Sequence, residues 1–548
     1  MGVNTKSFDN ASDMITFSRA SGAYGLTKVS YGPELAPSFD IETNWTTVTG
    51  WTWAAGVWSY ADTGLDYISA SNTPIVAGKT YVATITFASA PAASGYIFAL
   101  FNSSANENYL GSYADFTGSG TIYTKAFTAS SSSAGVRFYG NAGGAAFSVS
   151  EISIKEVTYN SSDPSATLKL IYHPDNVPRI EYNVDGTAKG LLIEEARTNL
   201  LTYSEDFSNA AWVKTSSTVE SNVIVAPDGT LTGDLFTNVS SPANYRLRQL
   251  FTNTASIDYT YTIYVKKGNE DIVQLSAYTS ALVTNATLYY TFSTDAFSNV
   301  SGTTYYNAEK IGNGWIRLSM TFQPSTTSTN FWVRSGAGNG VANATLYIWG
   351  AQVEAGSFPT SYIKTTGATA TRALDIPQIN VSNFINKSAG TFLATFNYTD
   401  PTNVAPNYVL GGLSNARVFY NNSGTSAWYY FDGSAAITFG VLDSGEVYKL
   451  AVAIKTDSNI STAKNGDIVT TSTSGTTLMT NIEAYPTLAI GGGDASQKLN
   501  GHIKSITYYP RRLTDAQIQR LTQPISTPTL SLTFDGQATS FTEDSIHG

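Results

Sequence analysis

Leu346-Tyr347-Ile348-Trp349-Gly350-Ala351-Gln352-Val353 reads as a β-strand with a fault in it. Leu346 and Ile348 alternate with Tyr347 and Trp349, as a half-buried strand requires. The period of two then slips, and Ala351 and Val353 take over the apolar phase. Earlier in the chain, Phe147-Ser148-Val149-Ser150-Glu151-Ile152-Ser153-Ile154 slips at the same place, between Val149 and Ile152. One extra residue in one strand of an antiparallel pair shifts its face in this way, so each stretch predicts a β-bulge. A fault shared by two such strands predicts two diverged copies of one fold.

Outward from these strands the copies agree again. Tyr81, Ala83, Ile85 and Phe87 alternate with Thr84 and Thr86, which places the first set inward. Tyr259-Thr260-Tyr261-Thr262-Ile263-Tyr264-Val265 holds the same place in the second copy. Phe39 and Trp45 open the first copy, and Phe207 and Trp212 open the second. Tyr347 and Trp349 lie opposite the core phase of their strand and are expected at a contact between modules or subunits. Short alternating strands, Gly/Asn/Asp turns and no long helical period predict an all-β chain of tandem antiparallel β-sandwiches.

A third strand-rich region starts near Asp375. In it, Asn465-Gly466 supplies the two positive-φ residues of a type I′ hairpin turn. Thr514 with Gln517 three residues on forms a capping box. Leu513, Ile518 and Leu521 make the apolar stripe of the helix that follows. The expected organisation is an N-terminal strand segment at 1–33, a first sandwich at 34–158, a connector at 159–198, a second sandwich at 199–372, a third at 373–523 and an unassigned tail at 524–548. Residues 1–33 are too few to fold alone and are expected to pair with the segment around 168–182. The first sandwich would then be an insertion between two halves of one docking unit.

Composition bounds the function. The chain has 548 residues and is 42% hydrophobic, enough for several cores. Only 13% of residues are charged, about half the usual share. Tyr (34) and Gly (45), with Ser, Thr and Asn, take their place, as in turn-rich β-proteins. A net charge of −10 without a basic patch disfavours nucleic acid as a partner. There is no cysteine, so stability must come from packing and from oligomerisation. The start of the chain, Met1-Gly2-Val3-Asn4-Thr5-Lys6, lacks the apolar region of a signal peptide. No run of about 18 apolar residues predicts a membrane span.

The search for catalytic motifs is negative, and the expectation is that the chain is not an enzyme. His173, His502 and His547 have no metal-ligand spacing, and no zinc-protease, phosphate-loop or nucleophile-elbow motif occurs. Glu194 and Glu195 are adjacent on an extended stretch and point to opposite faces, which does not suit a carboxylate pair flanking one bond. Glu194 and Arg197 are close enough to pair, so a buried connector with an internally paired charge knot is expected. In Ala427-Trp428-Tyr429-Tyr430-Phe431, alternation sends Trp428 and Tyr430 to one face and Tyr429 and Phe431 to the other. One pair must be core, and the other is a ligand platform or a subunit contact. Trp428, Tyr429 and Tyr430 are therefore candidate glycan-binding residues, because ring faces pack on pyranose C–H groups. Trp51, Trp53 and Trp58 form a second candidate group, for which core packing is the competing reading.

The stretch Gly190-Leu191-Leu192-Ile193-Glu194-Glu195-Ala196-Arg197-Thr198-Asn199-Leu200-Leu201 resembles a signature of tailed-phage virion proteins of the head-spike and tail-fibre type. Phe17-Ser18-Arg19-Ala20-Ser21-Gly22-Ala23-Tyr24 and Val177-Pro178-Arg179-Ile180-Glu181-Tyr182 resemble two further pieces of that family. There they lie near each other; here they are far apart in the chain, which fits an inserted domain. The two copies resemble jelly-roll carbohydrate-binding modules, and residues 373–523 resemble the laminin-G/concanavalin A-like lectin sandwich. The resemblance implies a virion protein, assembled in the host cytoplasm and displayed on the particle exterior. It would be a tail fibre, head spike or decoration that binds host-surface or environmental glycans. Other virion proteins would be its partners, and a homo-oligomer, guessed as a trimer, its assembly. No cofactor is required, but calcium is a common guest in both lectin-like families, with Asp40, Asp375, Asp494 and Asn500 as candidate ligands. A purely structural decoration protein without glycan binding is the alternative, followed by a glycan depolymerase.

Overall fold

Both bulges fall where the alternation slips. The computed structural model describes residues 15–524 apart from positions 48, 62–65, 72, 90–95, 104–105, 113–116, 120–121, 130–131, 133–134, 141–145, 160–165, 240–244, 337–341, 381–384, 387, 401–407, 413–416, 422–426, 432–435, 456–458, 473–486 and 493–497. In the first copy Val149 lies opposite Phe87 and Glu151 opposite Thr86, so Ser150 is the extra residue. In the second, Gln352 lies opposite Thr262 and Trp349 opposite Tyr264. There Gly350 takes φ +61°, and a Cβ on it would stand 2.9 Å from the Tyr264 ring. The slip keeps Val149, Ile152 and Ile154 buried in one copy and Ile348, Ala351 and Val353 in the other.

The two copies share one strand order. One sheet of the first runs Trp51–Ala54, Val57–Tyr60, Phe147–Tyr159, Thr80–Ser89, Ile122–Thr128, Thr117–Ser119. Its counterpart runs Ser217–Ile224, Gly233–Asn238, Thr345–Ala355, Tyr259–Lys267, Trp315–Phe322, Thr303–Gly312. The facing sheets run Thr46–Thr47, Asp66–Ala70, Gly135–Gly140, Tyr96–Ser103, Asn106–Ser112, and Val213–Thr215, Arg246–Thr252, Ser328–Ser335, Ile272–Thr279, Thr284–Thr291. The second copy adds Ala296–Ser301 at its edge. Each core lies between its sheets, Ile85 and Val149 meeting Ile68 and Phe138 in one, and Ile263 and Val353 meeting Leu275 and Val333 in the other. Smaller details recur. Phe39 and Trp45 pack with ring centroids 4.6 Å apart, and Phe207 and Trp212 at 4.8 Å. Tyr81 and Tyr259 each accept a backbone hydrogen bond of 2.9 Å at Oη, from Val76 and Thr254.

Among the described residues the third sandwich has two sheets of 7 strands each. Asn465 and Gly466 take φ +48° and +96° in the hairpin between Asn459–Lys464 and Asp467–Ser472. The helix Asp515–Thr522 starts at the capping box of Thr514 and Gln517, and Leu513 and Ile518 pack on Ala451, Ala453 and Ala463.

The start of the chain and the connector become strands of their neighbours. Ala23–Glu34 pairs with Thr167–His173, Tyr24 opposite Tyr172, as expected, and also extends the first sandwich through Phe147–Tyr159. Ile15–Ser18 instead crosses to the third sandwich and pairs with Ile376–Asn380. Ala188–Ile193 lengthens that sandwich's other sheet by pairing with Gly501–Tyr509, and Ile180–Tyr182 pairs in turn with Ala188–Ile193. A docking unit of a few strands would leave open edges and little core; joining existing sheets removes both defects. Trp349 faces away from its own core, as its phase predicts, and is buried among Tyr24, Leu26, Leu170, Tyr264, Trp315 and Tyr362.

Candidate functional site

The connector carries a cluster of buried charge. Arg179 Nη1 donates to Glu194 Oε2 at 2.8 Å, to Ser361 Oγ at 2.6 Å and to the Tyr24 carbonyl at 3.1 Å. Its Nη2 donates to Asp375 Oδ2 at 2.6 Å. Arg19 reaches the other oxygen of Asp375 at 3.2 Å, and Arg372 lies 3.5 Å from Glu194. The expected pairing of Glu194 with Arg197 does not form. Arg197 pairs with Glu195 at 2.5 Å and lies over the Phe358 ring, while Glu194 turns inward to guanidiniums from distant segments. Burial alone would push the Glu194 carboxyl up; Arg372 and Arg179 outweigh it and hold it down to about 2. Asn199, at the end of the same stretch, bonds both sides of the second bulge. Its Nδ2 donates to the Ala351 and Ile363 carbonyls, and its Oδ1 accepts from Val353 N.

Beside this knot lies a cleft of about 450 Å³ between the connector, the second sandwich and the third. Its polar walls include Glu181, Lys189, Glu309, Arg317, Asn397 and His502. Lys189 pairs with Glu309 at 2.5 Å, and His502 Nε2 with Glu181 at 2.9 Å. Burial would raise the Glu181 carboxyl, but the hydrogen bond and charge of His502 hold it well below the usual range. Glu181 and Glu194 are thus carboxylates at neutral pH. Burial pushes up two carboxyls away from the cleft: Asp228 to about 6 and Asp234 to about 7. Asp228 closes a turn onto Thr230, and Asp234 accepts from the Asn222 and Phe207 amides.

The aromatic candidates divide by face. Trp428 and Tyr430 are fully buried in the third core. The platform reading is corrected for both, since neither has a ring face free to stack. Trp51 and Trp58 are buried in the first core, and half-buried Trp53 donates from Nε1 to the Phe39 carbonyl at 3.0 Å. Tyr429 points outward with Phe431, both half-buried. They join Tyr408 and Tyr420 around a residue that the sequence reading passed over, Arg417. Its guanidinium stands 5.4, 5.2 and 5.9 Å from the ring centres of Tyr408, Tyr420 and Phe431. The Tyr420 and Tyr429 rings are 5.8 Å apart. Only the strand register, which sets Arg417 opposite Phe431, brings it there.

The calcium candidates do not form one site. Asp40 is exposed on the first sandwich, while Asp375 is buried with both oxygens on guanidiniums. Asn500 is bonded to Glu195, and Asp494 lies outside the described residues. Among the described residues, no group of three or more carboxylates and histidines is arranged to hold a metal. No described helix is long and apolar enough to cross a membrane.

With this geometry established, known proteins give little further. No family model matches the chain, and no curated protein does. Among the solved structures similar to it are two with low scores. A tandem pair of CBM22 domains from Paenibacillus barcinonensis Xyn10C has a TM-score of 0.20 and 9% identity, covering 59% of this chain and 98% of that one. A Trypanosoma rangeli sialidase in complex with the inhibitor DANA has a TM-score of 0.22 and 11% identity, covering 91% and 94%. The expectation that this chain is not an enzyme is corrected here, because an enzyme is among these structures. Likeness at these scores carries no argument for a ligand or an activity.

Proposed function

We propose that this chain is an adhesion protein displayed on a tailed-phage particle, and that its β-sandwich modules bind glycans of a host surface or its surroundings. The virion part of this reading is supported by the resemblance of residues 190–201. The binding part is carried by one observation, the half-buried rings of Tyr429 and Phe431 on the outer face beside Arg417, which also lies over the buried rings of Tyr408 and Tyr420. Half-buried rings offer apolar faces to sugar C–H groups, and a guanidinium held among them offers donors to hydroxyls. Weak binding at each copy is multiplied when many copies face one surface.

Glycan-array binding and whole-cell adsorption of the intact chain test this. A stacked ring contributes about 0.5–1.5 kcal/mol, so Tyr429→Ala with Phe431→Ala should weaken binding by about fivefold to a hundredfold if both rings stack. Release of reducing sugar should be followed in the same samples, because turnover would make the protein a depolymerase. Array binding unchanged by the double substitution, or no glycan bound by the intact chain, would refute the reading.

A further inference from the structure

The second sandwich carries another cluster, on the outer face of the sheet that holds Arg246–Thr252, Ser328–Ser335 and Ile272–Thr279. Alternation sends Leu247, Val273, Leu275, Phe331 and Val333 into the core. Arg248, Trp332 and Ser276 therefore lie side by side across the outer face, and the register places Gln274 opposite Arg334. Tyr278 stacks on Trp332 with centroids 3.9 Å apart and planes 25° apart. The guanidiniums of Arg246 and Arg334 stand 4.4 and 4.9 Å from the centre of that Trp332 ring system. Arg248 donates to Asn330 Oδ1 at 3.0 Å.

This is an uneconomical arrangement for a structural surface. Like charges gather on one small face of a protein whose net charge is −10. Arg248 and Arg334 form no ion pair with any described carboxylate. Burial first, then the charges of Arg248 and Arg334, lowers the affinity of Arg246 for its proton. The face also holds an orphan acceptor. Gln274 is only 4% exposed, and its Nε2 donates to Ser276 Oγ, but its Oε1 has no hydrogen-bond partner among the described residues. Such an atom costs free energy unless something donates to it.

We propose that this face binds an anionic polysaccharide, with carboxylate or sulfate groups on Arg248 and Arg334 and a sugar hydroxyl donating to Gln274 Oε1. The guanidinium fork matches a planar two-oxygen acid group. The orphan acceptor demands a donor, which a hydroxyl-bearing chain supplies beside each acid group. The site lies on a different module from the Arg417 rings and does not depend on them.

The test is biolayer interferometry with the intact chain and four immobilised polymers: polygalacturonate, dextran sulfate, neutral dextran and poly-dT. Polygalacturonate or dextran sulfate should bind and dextran should not, and which of the two binds identifies the acid group. Arg334→Gln should weaken that binding about tenfold or more, the worth of a charge-assisted hydrogen bond. Leu250→Glu places a carboxylate beside the cluster at a position that is 55% exposed, so the fold tolerates it. It should weaken binding as well, even if Arg334→Gln fails to fold. Equal binding of acidic and neutral polymers, preference for poly-dT, or no effect of either substitution would overturn the proposal.

Discussion

Arg179→Met should loosen the third sandwich from the rest of the chain. The substitution keeps a long apolar stem but removes the guanidinium that joins Glu194, Asp375, Ser361 and the Tyr24 carbonyl. Both carboxylates stay buried. Removing one partner of a buried ion pair costs about 3–5 kcal/mol. Arg372 still faces Glu194 at 3.5 Å and Arg19 still faces Asp375 at 3.2 Å, so the lower end, about 3 kcal/mol, is expected. For a module of about 150–250 residues, that shifts a thermal transition by roughly 6–12 °C. Differential scanning calorimetry of the parent and variant would read this as one transition moving down while others stay. Arg179→Lys, which keeps the charge but loses the fork, should fall between them. If Arg179→Met moves no transition by more than about 3 °C, roughly 1 kcal/mol on the same scale, the knot does not couple these modules and the reasoning is wrong.

Two further predictions concern the same region. Glu194 is held down to about 2 against an ordinary value of 4.5, so its contribution is present above pH 4.5 and lost as pH falls toward 2. His173 acts in the same direction: burial, then Arg179 and Arg19, lower it to about 3, so unfolded chains gain its proton first below pH 6.5. The third-module transition should therefore fall steeply with acid, less so in Glu194→Gln; a melting profile flat between pH 5 and 3 would count against this. Gly190→Ala should unpair the connector from the third sandwich, because Gly190 has φ +124° and a Cβ there would stand 2.4 Å from the Ile503 carbonyl. Backbone strain of this kind costs about 1–3 kcal/mol, and hydrogen exchange should quicken along Gly501–Tyr509. Exchange and melting like the parent's would show that the backbone relaxes around the methyl.

What the sequence revealed was local. The two bulges, the Asn465-Gly466 hairpin and the Thr514 cap are each specified within a few residues, where strand period, turn chemistry and capping act. Alternation also separated Trp428 from Tyr429. It could not say which faced the core, because both faces of that strand are aromatic and only the opposing sheet decides. The knot was misread for a related reason. Glu194 has Arg197 close by in sequence, but its partners Arg179 and Arg372 arrive on separate strands and loops. Proximity along the chain favoured the wrong arginine. The sequence reading passed over Arg246-Leu247-Arg248 and Trp332-Val333-Arg334, whose alternation puts three guanidiniums and an indole on one face. Their meeting depended on the pairing of Arg248 with Trp332, which no single segment shows.

Strand donation and the charge knot explain each other. Ile15–Ser18, Ile180–Tyr182 and Ala188–Ile193 complete the third sandwich from segments that precede the second sandwich in the chain, and Ile15–Ser18 precedes the first as well. An edge strand alone specifies its register weakly, since main-chain pairing is much the same at every even offset. Buried ion pairs tolerate no such slip, because a displaced arginine would leave a carboxylate unpaired in the interior. Arg19 follows the first donated strand directly, Arg179 directly precedes the second, and Glu194 ends the third. Each donated strand thus has one end fixed by a charge whose partner lies on another segment. It follows that a fragment cut at 373–523 would lack three of its strands and the partners of Asp375. A fair test of the third module must carry residues 15–34 and 177–199 with it.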